Sequence, residues 1–589
     1  MLNGSFIFAV LCLFGIGIFV SALPSLKRCR LPISGFDSTV NTFRLRSDML
    51  PVILVTVLYS FTAFYNLGDR EAPQSFVPME NKTVVLSLVS ADSVSQLAIY
   101  PGAGTGEYLI ESSSDQEGWL PVSSFSQDHV AVLKWAYLPL NLDSSVRFLR
   151  LICVSGNPFL GEVAVLDSNT TVLPLASTEE LLVDEQNLVA RSSSFLNSSY
   201  FDEIYHVRTA WEHLKGLWPY EISHPPLGKE LISIGVLLFG MTPFGWRFSG
   251  TVSGILMLPV MYLFIKRIFG SRRVALLGMV LLATGFLHYV QTRIATIDCF
   301  AVLFIMLMYY HMYGWLTTER VVDLAWCGIF FGIGCACKWI CLYAGAGLAL
   351  IWILHWMHRF HEEGNGAMHP FLKNVLVCVV FFLVIPTAIY YLSYLPYGKA
   401  NGIEPFSSAF SQMVLENQRF MFQYHSSIVA EHPYSSRWYQ WILNLRPILY
   451  YLEYLPGGKR VSIAAFVNPL ICWGGLLCVP ILIYLLLCRK DKIAGFLLIG
   501  YFSGLIPWMF ITRLTFEYHY FASAVFLVLM LTYLFWILEK NTSHGNVFTF
   551  AFTAASLALF ICFFPVLNGL PVLDTLSSKL LGWLPTWPI

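Results

Sequence analysis

Charge is what this chain has least of. Across 589 residues, Asp, Glu, Lys and Arg together make up 12%, about half the ~25% usual in a soluble globular domain. Lysine plus arginine number 36 and aspartate plus glutamate also number 36, so no net basic field exists to hold a polyanion, and nucleic acid is excluded as a partner on first reading. Metal-type spacings of Cys and His are missing as well. The thirteen cysteines fall mostly inside apolar runs, as Cys337, Cys341, Cys378, Cys472 and Cys478 do, and read as small buried hydrophobes. Apolar surface takes the place of charge: 56% of residues are hydrophobic and the mean hydropathy is +0.63. A chain of that composition is an integral membrane protein.

Runs long enough to cross ~30 Å of hydrocarbon begin near residues 5, 49, 246, 274, 299, 322, 339, 372, 464, 493, 519 and 546, giving roughly twelve spans, with the pair within 322–357 near the short limit. The first run, 5–20, has no basic residues before it, whereas Lys27, Arg28, Arg30, Arg44 and Arg46 follow it. This reads as a span with its N-terminus outside rather than as a signal peptide. Counting on from there, Lys266, Arg267, Arg272 and Arg273 share one loop. Arg320, then Arg359 and Lys373, then Arg489, Lys490 and Lys492, then Lys540 occupy the alternate loops that follow. The positive-inside rule places these loops in the cytoplasm. The outer face then receives residues 67–245, about 292–298, 393–463, 512–518 and the tail after 567.

Within 71–195 the composition turns polar, with period-2 stretches at 83–89 and 146–154 broken by Pro-Gly, Asn-Pro and Asp-Ser turns. This alternation predicts an inserted extracytoplasmic β-sandwich. The segments GEYLIESSSDQEGWLPV (106–122) and VRFLRLICVSGNPFLGEVAVLD (146–167) resemble discoidin-like, galactose-binding jelly rolls. That resemblance implies a carbohydrate ligand, against a spacer or partner-docking role. Cys153 is the only cysteine of the insert, so no internal disulfide staples it, which fits a bacterial exterior better than an oxidising lumen. Asn81, Asn169 and Asn197 begin glycan-acceptor sequons, a pattern that also arises by chance.

The chemistry-bearing residues gather on the same outer side. Tyr200-Phe201-Asp202-Glu203-Ile204-Tyr205-His206 sets two carboxylates among aromatics at the edge of the membrane. Apolar rings raise a carboxyl pKa and a neighbouring cation keeps it ionised, so such a site suits a general base; the alternative is two solvated charges opening a helix. His224-Pro225-Pro226-Leu227-Gly228-Lys229-Glu230 holds a Lys at the lipid-water boundary behind a rigid turn, suited to an anionic head group or to plain snorkelling. Arg247 stands at the outer end of a span, Arg293 precedes Asp298, and Lys338 lies between two apolar runs. Ionisable groups at such depth are functional candidates, with a structural Arg293–Asp298 pair as the alternative. The loop 393–463 carries His425 and then His432-Pro433-Tyr434-Ser435-Ser436-Arg437-Trp438-Tyr439-Gln440-Trp441, and Arg513-Leu514-Thr515-Phe516-Glu517-Tyr518-His519 follows further on. Aromatics interleaved with polar groups suit a sugar, or form an interfacial belt.

Taken in order and spacing, YFDEIYHV, HPPLGKELI, FGMTPFGWRF, RIATID, CKWICLY, HPYSSRWYQW and TFEYHYF resemble the protein O-mannosyltransferase family of GT-C membrane glycosyltransferases, in its bacterial form. The resemblance covers 200–589. It implies a polytopic α-helical GT-C fold divided as 1–70 (two helices), 71–195 (β-sandwich), 196–392 (catalytic core, its first external catalytic loop at 196–245), 393–463 (external loop) and 464–589 (a C-terminal four-helix membrane module). It also implies a polyprenyl-phosphate-sugar donor, most simply mannose, and transfer to Ser or Thr of secreted or membrane proteins. Asp202 is then the catalytic base and Glu203 its acidic partner. Lys229, Arg247, Asp298, Lys338, Arg513 and His519 are candidates for the donor phosphate and sugar, and His224, His425, His432 and Trp438 for the acceptor or sugar loop. Eukaryotic members carry a β-trefoil in the loop matching 393–463, which is too short here to hold one. The first span and the insert before Asp202 also depart from the common pattern.

A sugar on a lipid phosphate has its leaving group at the head-group boundary. In-line attack by an acceptor hydroxyl therefore needs a base on one side and cations on the other, and a single displacement inverts the anomeric centre. The sequence requires no cofactor; a divalent metal would find carboxylates at Asp202, Glu203 and Asp298. A GT-C transferase acting on a lipid or cell-wall polymer, a transporter, and a non-catalytic sugar-binding or chaperone subunit are the competing readings.

Overall fold

Two folding periods share the chain, one of 2 and one of 3.6. The computed structural model describes residues 45–89, 93–142 and 144–589; the expected first span, 5–20, lies outside them. The chain divides into one unit of 66–221 with 229–249, and a second made of the residues up to 65, 222–228 and 250–589.

The first unit holds two five-stranded antiparallel sheets. One runs Val77–Pro78, Phe159–Leu166, Val94–Pro101, Ala136–Leu142, with Val172–Leu173 added on Phe159–Leu166. The other runs Leu175–Ser177, Thr83–Leu88, Phe148–Gly156, Gly106–Ser113, Leu120–Gln127. Alternation fixes the register: Val84, Leu86 and Leu88 turn inward from one strand, and Leu149, Leu151 and Cys153 from its neighbour. They meet Leu97, Ile99, Val163 and Val165 of the other sheet in a single core, each large aliphatic contributing roughly 1.5–3 kcal/mol. A one-residue slip would turn that face to water. Gly156, at φ +88°, pairs with Gly106, and a Cβ there would stand 2.1 Å from the Thr105 carbonyl oxygen. After the sheets come the helices Glu203–Lys215 and Leu227–Phe239.

The second unit is helical. Among the described residues eight helical stretches are long and apolar enough to cross a membrane: Ser47–Phe64, Pro243–Phe269, Asp298–Thr318, Ile340–Ala400, Pro469–Arg489, Lys492–Met509, Glu517–Asn541 and Gly545–Asn568. Val321–Cys337 is apolar but shorter, at 17 residues. Ile340–Ala400 contains the runs expected from 339 and 372, with a 3-10 turn at Gly364–Ala367 between them. The run from 274 forms Arg272–Ala283 and, after Thr284 and Gly285, Phe286–Gln291. Caps stand where the sequence supplies them: Ser271 accepts from Val274 N–H, Asp491 from Ala494 N–H, and Asn468 from Leu470 N–H with Pro469 beside it. The Asn468 amide also donates to the carbonyls of Thr284 (2.9 Å) and Ser556 (3.2 Å), joining three separate segments. In hydrocarbon such bonds hold helices together where apolar contact alone does not discriminate.

The loop 393–463 is not irregular. It folds into helices Leu395–Ala400, Ser408–Ser427 and Trp438–Ile442, and then the hairpin Ile448–Leu455/Lys459–Ala465, to which Val572–Leu573 of the tail adds a third strand.

Candidate active site

Asp202 and Glu203 differ sharply although they are neighbours. Asp202 caps the helix Glu203–Lys215 and stays half-exposed, and its carbonyl accepts the N–H groups of Tyr205 (3.1 Å) and His206 (3.3 Å). Glu203 is completely buried. Both its oxygens are held by Arg247, Oε1 by Nε at 2.7 Å and Oε2 by Nη2 at 2.8 Å. The remaining guanidinium donors go to the carbonyls of Leu67 (2.8 Å), Phe195 (2.7 Å) and Ser198 (3.0 Å). All five N–H groups of Arg247 are thus used within the protein, which leaves none for a phosphate. Arg247, expected at the donor phosphate, and Glu203 are thus joined in one internal clamp. What it clamps is the segment leading into Asp202, where Phe201 sits at φ +50°, a left-handed conformation that costs a bulky residue about 1–2 kcal/mol.

Further along the same helix, Glu212 accepts from Arg208 Nε (2.8 Å) and from the backbone of Tyr220 (2.6 Å). The Arg208 guanidinium stacks on the Tyr220 ring at 4.1 Å. Lys229 is fully buried and donates to the Glu221 carboxylate (2.6 Å) and carbonyl (3.1 Å). Burial, opposed by Lys229, pushes the adjacent Glu230 carboxyl up to about 7. Sequence reasoning passed over Glu230, since nothing in the local pattern distinguishes it from an ordinary helix-surface glutamate.

In the helical unit, Lys338 Nζ donates to Asp298 Oδ1 at 2.8 Å and lies 5.7 Å from the centre of the Tyr518 ring. Arg293 takes no part in that pair and donates to the carbonyls of Ala63 (3.0 Å) and Tyr65 (2.8 Å). His519 is buried between Trp441, stacked at 5.9 Å, and Trp508 at 4.2 Å. Its Nδ1 lies 3.1 Å from the Phe516 N–H and 3.0 Å from the Phe516 carbonyl oxygen. His224 meets His425 edge-on at 5.0 Å, and His425 Nε2–H donates to the Ser223 carbonyl at 2.8 Å. Burial, then His224 and Arg513, pull the His425 pKa down to about 4, so the ring is neutral at physiological pH. His432 packs against Phe516 at 5.0 Å. Trp438 stays half-buried at the start of its helix. Trp441, three residues on, is the tryptophan that reaches His519; the interfacial pattern alone gave no means of choosing between the two.

Two of the three carboxylates expected to suit a metal are engaged within the protein: Arg247 takes both oxygens of Glu203, and Lys338 takes Asp298 Oδ1. Among the described residues, the side chains whose oxygens gather within 4.8 Å of one another are Glu162, Asp184 and Glu185, in the sheet unit.

The family described as dolichyl-phosphate-mannose-protein mannosyltransferase matches residues 223–390, and that described as the C-terminal four-TMM region of protein O-mannosyltransferase matches 410–587. The chain belongs to the protein O-mannosyltransferase family. Among its relatives is the polyprenol-phosphate-mannose–protein mannosyltransferase of Mycolicibacterium smegmatis, 27% identical over 456 residues, which covers 66% of this chain and 87% of that protein. The Mycobacterium tuberculosis protein of the same description is 24% identical, covering 68% and 90%. In fold, the chain is similar to the Saccharomyces cerevisiae protein O-mannosyltransferase Pmt1-Pmt2 complex bound to the sugar donor. The TM-score is 0.59 at 14% identity, covering 66% of this chain and 89% of that one. The chain is thus a polytopic membrane protein of GT-C type.

Proposed function

We propose that this protein transfers mannose from a polyprenyl-phosphate carrier to serine and threonine hydroxyls of proteins on the extracytoplasmic face of a bacterial membrane. Family membership supports the reaction class. The observation that carries the residue assignment is the contrast at 202–203: Asp202 is half-exposed on a segment clamped by Arg247, while Glu203 is sealed inside the clamp. Asp202 takes the acceptor proton as the hydroxyl oxygen attacks the anomeric carbon. The polyprenyl phosphate leaves with the bonding pair, and the one displacement inverts the centre. Lys338 offsets the phosphate charge, and the buried His519 stacks on Tyr518, the ring beside which Lys338 sits.

Eleven of the twelve expected runs coincide with described helices, which supports a twelve-span reading once 5–20 is added. A core shared by two sheets supports reading the insert as a β-sandwich. The reading is tested with purified protein, polyprenyl-phosphate-mannose and a Ser/Thr-rich peptide. Mannosylated peptide is expected, with kcat lower by about 10²–10⁴-fold in Asp202→Asn. Mannose appearing on a lipid or polymer but on no peptide would overturn the acceptor assignment, and full activity in Asp202→Asn would overturn the base.

A further inference from the structure

A polar cavity in the helical unit is lined by three guanidiniums, none of which makes an ion pair among the described residues. It encloses about 720 Å³ between the segment Ala430–Gln440, Arg446 and the segment Thr512–Thr515. The two segments are stitched together reciprocally: Ser436 N–H donates to the Thr515 carbonyl at 2.9 Å, and Thr515 Oγ1 donates to the Ser436 carbonyl at 2.6 Å. Each arginine is anchored through one nitrogen to a backbone carbonyl, Arg437 Nη1 to Thr512 (2.9 Å), Arg446 Nη2 to Pro433 (2.6 Å) and Arg513 Nη1 to Leu514 (3.2 Å). Among the described residues the other N–H groups of these three side chains have no hydrogen-bond partner, and Arg446 Nε is buried in that state. Against three positive charges the lining offers one carboxylate, Glu431. Burial lowers the pKa of His432, which therefore adds no charge near neutral pH.

A guanidinium held by one arm presents its remaining fork in a fixed direction, and that fork matches a carboxylate or phosphate oxygen pair. Three such forks around one cavity repel each other until an anion enters. The rest of the lining decides which anion. Ser435, Ser436, Gln440, Thr512 and Thr515 make the wall hydrogen-bonding, whereas a carrier lipid needs an apolar flank for its first isoprene units. The volume falls in the range that encloses a whole small ligand rather than a single ion.

Building on the protein mannosyltransferase reading above, we propose that the cavity bounded by Arg437, Arg446 and Arg513 is an acceptor subsite for acidic side chains. Acceptor segments carrying Asp or Glu near the reacting Ser or Thr are then the preferred substrates. Arg513 is among the charges that lower the pKa of His425, the ring that stands against His224.

The test compares Ser/Thr peptides of equal length whose flanking residues are Asp in one set and Asn in the other. Full-length protein in nanodiscs is used, with polyprenyl-phosphate-mannose as donor, and peptide binding is followed separately by fluorescence anisotropy. Wild type is expected to show a KM and a Kd about fivefold or more lower for the Asp peptide, the advantage shrinking with added salt. Arg437→Gln and Arg446→Gln should abolish the difference while leaving the Asn peptide's kcat/KM unchanged, and Arg437→Lys should keep part of it. Equal handling of both peptides by wild type overturns the proposal. So does a rise in the donor KM that is the same with either peptide in the Gln variants, which would give the cavity to the carrier phosphate. If no peptide is mannosylated, an Arg437-dependent preference in the anisotropy arm still supports the subsite, and the failure then falls on the proposed reaction alone.

Discussion

Arg247 and Glu203 form a closed two-point fork, Nε to Oε1 at 2.7 Å and Nη2 to Oε2 at 2.8 Å, with both side chains buried. Adjacent carboxylates usually invite a shared role, as paired acid and base or as metal ligands. Here the fork separates them. Glu203 faces inward and fixes the start of the helix, which leaves Asp202 as the carboxylate at the surface of that segment. Three backbone carbonyls, those of Leu67, Phe195 and Ser198, converge on the same guanidinium. One arginine therefore ties the end of the sheet region to the turn that presents Asp202.

Breaking that fork from either side strands a buried charge. Glu203→Gln and Arg247→Gln are each expected to destabilise the protein by about 3–5 kcal/mol, and Arg247→Lys to rescue little, since three donors on a point charge cannot replace five on a plane. Thermal unfolding in nanodiscs reads the loss. The clamp assignment fails if Arg247→Gln unfolds like wild type and instead raises the donor KM alone.

Asp298 and Lys338 make the complementary case, an ion pair in the helical unit at 2.8 Å, with Lys338 also set beside the Tyr518 ring. If Lys338 offsets the carrier phosphate, Asp298 tunes how tightly it is held in place. Lys338→Gln should raise the donor KM by about tenfold or more, a loss of about 1.4 kcal/mol. Asp298→Asn should change it less, and the double variant should be milder than the sum of the two. A double-mutant cycle on donor KM, with the two changes strictly additive, would show that the pair does not act as a unit.

The fold was legible wherever one period dominates: apolar runs above eighteen residues became helices, and the alternation at 83–89 and 146–154 became the strands Thr83–Leu88 and Phe148–Gly156. The hairpin Ile448–Leu455/Lys459–Ala465 escaped because its Tyr and Leu residues also fit an interfacial loop, and its third strand, Val572–Leu573, is two residues long. At the site, residue types and order pointed to Asp202, but partner choice is a three-dimensional fact. Arg247 and Glu203 are 44 positions apart, Lys338 and Asp298 are 40 apart, and no local period encodes either pairing. The arginine cavity was hidden for the same reason, since Arg513 comes to it from 67 positions beyond Arg446.

Glu162 offers a pH test that does not touch the reaction. It is fully buried in the strand Phe159–Leu166, opposite Tyr100, with its oxygens accepting from the Gln186 amide and, at 3.2 Å, from the Glu185 N–H. Burial is the main cause that pushes its carboxyl up to about 8, and the nearby charges of Asp184 and Glu185 add to it against those hydrogen bonds. An unfolded glutamate ionises near ~4.3. Between those two values the folded protein keeps a proton that the unfolded chain releases. The contribution of this carboxyl to stability is therefore complete below about 4.3 and falls as pH rises, until it is lost above about 8. Wild type should accordingly lose about 2–4 kcal/mol of sheet-unit stability between pH 5 and pH 9 from this group, while Glu162→Gln, which cannot ionise, should lose much less. Unfolding midpoints taken across that range in both proteins decide it: parallel curves would mean that Glu162 is already ionised in the folded state at neutral pH.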